Sequence, residues 1–213
     1  MRTILFQIWQ NKIMIWKRVC KVLGLVCLVC AAKGQASLSH PSAERVKKIL
    51  EKYNVYLKNL KNLKTSFIQI SPNGTKSTGM LYLKKPGKLR LIYDPHGSIE
   101  LISNGKNLIH YDGRTKENSS VALRDTPLYF LLEKGNLEEL AQVQKIILDK
   151  KWSQIIVTNK RDPESGSVTL VFQENPIALV RWILVEADGR RTIVTLSNWK
   201  TNLTIHPKTF EMQ

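Results

Sequence analysis

The stretch "LYLKKPGKLRLIYDP", Leu81 to Pro95, reads as two strands joined by a tight Pro86-Gly87 turn, and its reading decides the fold. With a two-residue loop, Lys85 pairs with Lys88, Lys84 with Leu89, and Tyr82 with Leu91. Successive strand residues point to opposite faces. Met80, Tyr82, Leu89, Leu91 and Tyr93 then share one face, and Leu81, Leu83 and Ile92 share the other with Arg90. Both faces are apolar. An antiparallel sheet ordinarily packs one face on a core and wets the other, so this hairpin demands an apolar partner on each side.

Outward from the hairpin the period stays at two. Asn73-Gly74, Asn104-Gly105, Asp112-Gly113 and Asp188-Gly189 lie between apolar runs, and such pairs are strong hairpin signals because both residues tolerate positive φ. Strands are expected over 65–71, 76–85, 88–94, 98–103, 106–112, 143–150, 153–159, 167–173, 178–187 and 190–199. They form an antiparallel meander, and so many strands close, or nearly close, into a barrel that limits exposed edges.

Two helices frame the strands. In "PSAERVKKILEKYNVYLKNLKNL", Val46, Ile49, Leu50, Tyr53, Leu57, Leu60 and Leu63 recur at spacings of three and four with lysines between them, the pattern of an amphipathic helix. Ser42 is a candidate N-cap, although Arg45 sits where a capping box wants an acid. In "RDTPLYFLLEKG", Arg124 to Gly135, Asp125 or Thr126 can cap, Pro127 suits the first helical position and Gly135 the end. That short helix is apolar nearly all round through Leu128, Tyr129, Phe130, Leu131 and Leu132, so it must be covered on most sides or itself cover something apolar. The class is α+β.

The first 36 residues read as a signal peptide. Lys17, Arg18 and Lys21 precede an apolar run from Val22 to Ala32, and "GQA" places cleavage after Ala36. Met14 is an alternative start that gives a leader of more usual length. The apolar run falls short of the roughly 20 residues that span a bilayer. Val26 and Val29 precede Cys27 and Cys30, where lipid attachment wants a small residue, so the leader does not read as a lipoprotein's. All three cysteines lie inside it, which leaves no disulfide, thiolate metal site or cysteine nucleophile in residues 37–213. That remainder is one domain by length. The leader holds six of the 33 Lys+Arg and no acid, so 27 bases face 17 acids after cleavage, a surplus of ten. Such a surplus suits anionic membrane surfaces or acidic partners. No aromatic-basic motif for nucleic acid is present.

Chemistry is scarce. His40, His96, His110 and His206 are scattered without metal-ligand spacing, and no nucleophile elbow, phosphate loop or dinucleotide fingerprint occurs. The expectation is a non-enzyme without metal or cofactor. Apolar surface, by contrast, is in excess: "IIV" at 155–157 and "IALVRWILVEA" at 177–187 are apolar on both faces. Two readings follow, a core filled by its own side chains, or a curved sheet whose second face lines an apolar cavity capped by the two helices.

"GMLYLKKPGKLRLIYDP", "IELISNGKNLIHYD" and "DTPLYFLLE" together resemble the outer-membrane lipoprotein carrier proteins, the LolA family. Phe67 and Gln69 match a Phe-x-Gln strand, Gly79 to Pro86 a glycine-to-proline strand, Ile102 to Lys106 a Ser-Asn-Gly-Lys turn, Tyr111-Asp112 its continuation, and Asp125 to Pro127 the opening of an apolar helix. The likeness is densest over 67–132. It implies an incompletely closed, monomeric, periplasmic barrel of about ten or eleven strands with a short helical lid. Such a protein carries lipoprotein acyl chains from an inner-membrane lipoprotein-releasing ABC transporter complex towards an outer-membrane acceptor lipoprotein or the outer membrane itself. By the matching positions Leu89, Leu91 and Leu101 would then line the cavity, joined by Tyr82 and Tyr93 through strand register. Pro127, Leu128, Phe130 and Leu131 would form the lid. At Lys85 the family has an arginine that holds the lid through backbone carbonyls, and a lysine, with no planar fork, makes a looser latch. A periplasmic lipid or lipoprotein sensor of the same fold, without shuttling, is the other reading.

Overall fold

The computed structural model describes residues 43–95 and 98–212. The expected leader, the alternative start at Met14 and the Ser42 cap fall outside the described residues. The chain opens with helix α1 (Ala43–Asn59) and continues through β1 (Asn62–Ile70), β2 (Lys76–Lys84), β3 (Lys88–Tyr93), β4 (Ile99–Asn104), β5 (Asn107–Asp112) and β6 (Glu117–Ala122). Two single-turn helices follow, α2 (Tyr129–Leu132) and α3 (Leu137–Leu140), and then β7 (Gln142–Ile147), β8 (Trp152–Thr158), β9 (Gly166–Glu174), β10 (Ile177–Glu186) and β11 (Arg191–Thr201). The residues from Val46 onward make one compact unit. Among the described residues no helix is long and apolar enough to cross a membrane.

All strands join one antiparallel sheet in the order β6-β5-β4-β3-β2-β1-β11-β10-β9-β8-β7. The strands at its two ends, β6 and β7, do not pair, so the barrel is incompletely closed. Register shifts at Lys64/Ser66, Val143/Lys145 and Leu179/Arg181 insert extra residues of the kind that bend a strand and increase its twist. The sheet curls enough for Leu89 of β3 and Ile155 of β8 to belong to one apolar core with α1. Gly79 sits where a side chain has no room: a Cβ there would strike the Ile92 carbonyl and the ring of Phe67.

The β2–β3 register corrects the sequence reading by one residue. Lys84 pairs with Lys88, Leu83 with Leu89, Tyr82 with Arg90 and Leu81 with Leu91. The loop therefore holds three residues, Lys85, Pro86 and Gly87, with Gly87 at φ 70°, and an added loop residue turns one strand over relative to its partner. Leu81, Leu83, Leu89 and Leu91 consequently share the inner face, at 0, 1, 0 and 3% exposure. Tyr82 lies on the outer face, opposite Lys64, whose Nζ stands 5.2 Å from its ring centre.

The outer face of β3 and β4 has its own cover. Arg90 and Glu100 form a buried ion pair at 2.7 Å. Arg90 Nη1 also donates to the carbonyls of Thr209 (3.0 Å) and Glu211 (3.4 Å). These bonds tie the C-terminal turn, Pro207–Phe210, against β3 and β4, and Ile205 and Phe210 are buried there with Ile102. The excess of apolar side chains in the opening hairpin thus has two partners, the barrel interior and this tail.

Candidate functional site

The inner face is a continuous apolar surface roofed by helices. Pairing carries it from Leu101 of β4 through Leu91 and Leu81 to Thr65 of β1, and on the other side through Leu196 and Val194 of β11, Trp182 of β10, Leu170 of β9 and Ile155 of β8. Tyr93 also lies on it, packed edge-on against Phe67 with ring centres 5.0 Å apart. Its hydroxyl donates to Gln69 Oε1 at 2.8 Å, and burial pushes its ionisation far up. Of the five expected lining residues, four (Leu89, Leu91, Tyr93 and Leu101) therefore face inward and Tyr82 does not.

Helix α1 covers one part of this surface with Leu50, Tyr53 and Leu57, followed by Leu60. Its anchors are polar. Tyr53 donates to Glu174 Oε1 and Lys52 to Glu174 Oε2, each at 2.6 Å. Burial works to raise the Glu174 carboxyl, but the hydrogen bonds it accepts, with Lys52 foremost, outweigh burial and hold the group below its ordinary range. The Tyr56 hydroxyl accepts from Leu179 N at 3.1 Å, beside the bulge of β10. Asn54 accepts from Leu137 N at 3.0 Å and donates to Glu138 at 2.9 Å, which joins α1 to α3.

The segment from Leu123 to Leu140 covers the rest. Leu123, Thr126, Leu128, Phe130, Leu131, Leu132 and Leu137 are buried, whereas Arg124 and Asp125 reach solvent. Pro127 is half-buried two residues ahead of α2, and Thr126 does not cap that helix: its hydroxyl donates back to Leu123 O at 2.8 Å. Two main-chain bonds hold the segment to the sheet, Leu123 N to Lys106 O at 2.8 Å and Gly87 N to Leu132 O at 3.0 Å. Ser103 steadies the second by donating to Gly87 O at 2.6 Å. A capping box between Asn136 and Glu139 starts α3.

Lys85 differs from its expected role. Its Nζ donates to Leu57 O at 3.0 Å, one of the last-turn carbonyls that a helix leaves without an internal partner. It therefore fastens α1, and the turn's hold on α2 comes from Gly87. Burial lowers the Lys85 ammonium to about 8, with Glu133 opposing the shift. No signal in the sequence distinguishes these two partners, since both lie more than 25 positions away along the chain. Among the described residues no three His, Cys, Asp or Glu gather as metal ligands.

A family model described as "Outer membrane lipoprotein carrier protein LolA" matches residues 58–213. A protein of Francisella philomiragia subsp. philomiragia, described as "Outer-membrane lipoprotein carrier protein", is 27% identical over 206 residues, covering 91% of this chain and 93% of its own. Among solved structures, the chain is similar to an uncharacterized conserved protein of Thermus thermophilus, with TM-score 0.48 and 9% identity over 79% of this chain and 93% of that one. A LolA superfamily protein of Nitrosomonas europaea gives TM-score 0.46 and 10% identity over 78% and 97%.

Proposed function

Since the chain belongs to the family of outer-membrane lipoprotein carrier proteins, LolA, a family of carriers rather than enzymes, we propose that it is a periplasmic carrier of acylated lipoproteins. In this reading it shields their acyl chains on its inner face and moves them from an inner-membrane lipoprotein-releasing ABC transporter complex to an acceptor at the outer membrane or to that membrane itself.

One observation carries the proposal. The inner face is largely apolar from β4 round to β8, and Leu50, Tyr53, Leu57, Leu128, Phe130, Leu131 and Leu132, from covers that are not part of the sheet, join its side chains in one core. Each buried Leu or Phe gains roughly 1.5–3 kcal/mol, so the four apolar side chains Leu128, Phe130, Leu131 and Leu132 are worth about 6–12 kcal/mol. A lipoprotein acyl chain of about 15 methylenes gains about 12 kcal/mol on leaving water. The two are of similar size, so an acyl chain can replace the helical cover with little net change. A carrier requires that near balance, because it must give up what it binds.

Site-specific photo-crosslinking in cells tests the reading. A photoreactive residue at Leu101, on the inner face, should capture acylated lipoproteins, and the same residue at Tyr82, on the outer face, should not. Equal capture at both positions, or none at Leu101, contradicts it.

A further inference from the structure

We propose that the tip of the β7–β8 hairpin is a docking element for anionic lipid bilayers. Ile147, Leu148 and Trp152 are 38, 54 and 49% exposed, although side chains of this kind are ordinarily buried. The register gathers them. Ile147 pairs with Gln154 and Trp152 stands two positions from Gln154 on the same strand, so Ile147 and Trp152 project from the outer face as diagonal neighbours, within reach of each other. Leu148 continues the patch into the turn. Because β7 is the last strand of the sheet, no further strand covers that side.

Lys145, Lys150 and Lys151 are exposed around this patch. The acids nearby are engaged: Asp149 accepts from the Lys151 backbone at 2.9 Å, and Glu174, whose backbone N donates to Lys151 O, is paired with Lys52. An indole and two aliphatic side chains ringed by lysines match a membrane interface: the indole and aliphatic groups enter at headgroup depth and the ammonium groups meet anionic headgroups. The net charge, +16 for the whole chain and a surplus of ten over residues 37–213, has the sign needed to approach such a surface. A second copy of this chain fits worse, because it would set lysine against lysine. The surface needs no cargo, so it stands or falls apart from the carrier reading.

The test is flotation of the purified, cargo-free protein with vesicles of phosphatidylethanolamine containing roughly one-third phosphatidylglycerol, against all-phosphatidylcholine vesicles. The protein should float with the anionic vesicles alone and be released by about 0.5 M salt. The Leu148→Glu/Trp152→Glu variant should lose about tenfold or more of its bound fraction, as should Lys145→Gln/Lys150→Gln/Lys151→Gln. Trp199→Ser, at an exposed tryptophan outside the hairpin, should bind as wild type. Urea midpoints equal to wild type establish that each variant is folded. Absence of flotation, or flotation undiminished in the Leu148→Glu/Trp152→Glu variant, overturns the proposal. A concentration-dependent dimer abolished by that variant overturns it too, assigning the patch to a second copy.

Discussion

Lys85 places a cation where water is scarce, and the consequence is a stability that depends on pH. Its pKa in the fold is about 8 against 10.5 for the free side chain, so between those values the unfolded chain holds a proton that the folded chain has released. Stability therefore rises with pH across that window, and below about pH 8 the fold bears the full cost of the buried charge. From about pH 7.5 to about pH 9.5, short of general tyrosine ionisation, the unfolding free energy from urea titrations should increase by about 1–2 kcal/mol. Lys85→Met should remove that increase, and an equal increase in the variant contradicts the assignment. Arg90 is a different case, a buried charge with a full set of partners. Arg90→Ala strands Glu100 without its counter-ion and should cost about 3–5 kcal/mol, while Arg90→Met/Glu100→Leu should cost far less. A single variant no worse than the double would mean that the pair is not buried as described. Neither environment is legible in the sequence. Lys85 reads there as a turn lysine or a latch on α2, and Arg90 as the odd polar residue of an apolar face, because each meets a partner that only the closed fold supplies. That Leu89 and Leu91 share one face is legible from alternation, but with both faces apolar only the family resemblance marks that face as the inner one. Tyr82 is misplaced by the sequence reading because one extra loop residue reverses a strand.

At the level of elements, strong periodicity is legible and weak periodicity is not. The stripe from Val46 to Leu57 marks α1, although Leu60 and Leu63, which continue its spacing, lie past the helix end. Strand β6, "ENSSVA", is absent from the expected strands because it has no apolar alternation, as befits an edge strand with little to bury. Helix α3 is a single turn started by the capping box of Asn136 and Glu139, a signal that the sequence carries but that four residues are too few to reinforce with a period. The tail over β3 and β4 is irregular, so no period announces it. The covers also differ in kind. Helix α1 is fastened by side-chain hydrogen bonds involving Lys85, Glu174, Asn54 and Tyr56, whereas α2 meets the sheet through apolar side chains and the bond from Gly87 N to Leu132 O; the side-chain holds on its segment lie at α3, where Asn54 bonds Leu137 N and Glu138 and Lys160 donates to the carbonyls of Glu138 and Glu139. By this comparison α2 is the less firmly fastened cover. Tyr56→Phe leaves the Leu179 N–H without its acceptor and should destabilise the protein by about 1–3 kcal/mol, with faster hydrogen exchange along α1. Stability equal to wild type would show that Tyr56 is no anchor.

For the whole molecule, the central question is what the inner face of an unclosed eleven-stranded sheet accepts. Its interior holds apolar side chains of its own covers; on the proposed carrier reading, the two readings that the sequence leaves open, a filled core and a lipid cavity, describe one protein before and after its covers move. On that reading, a cover worth about as much as an acyl chain would make loading and release both accessible, and the opening would select for acyl chains rather than for any one protein sequence. Native mass spectrometry of the protein recovered from cells making a tagged lipoprotein examines this most directly. A carrier of acyl chains should give a one-to-one complex that disappears when the lipoprotein's acylated cysteine is replaced, and that is lost in folded Leu101→Glu, where a charge enters the half-buried rim of the inner face. Protein that stays unliganded, or a complex that persists in Leu101→Glu or without acyl chains, would contradict it.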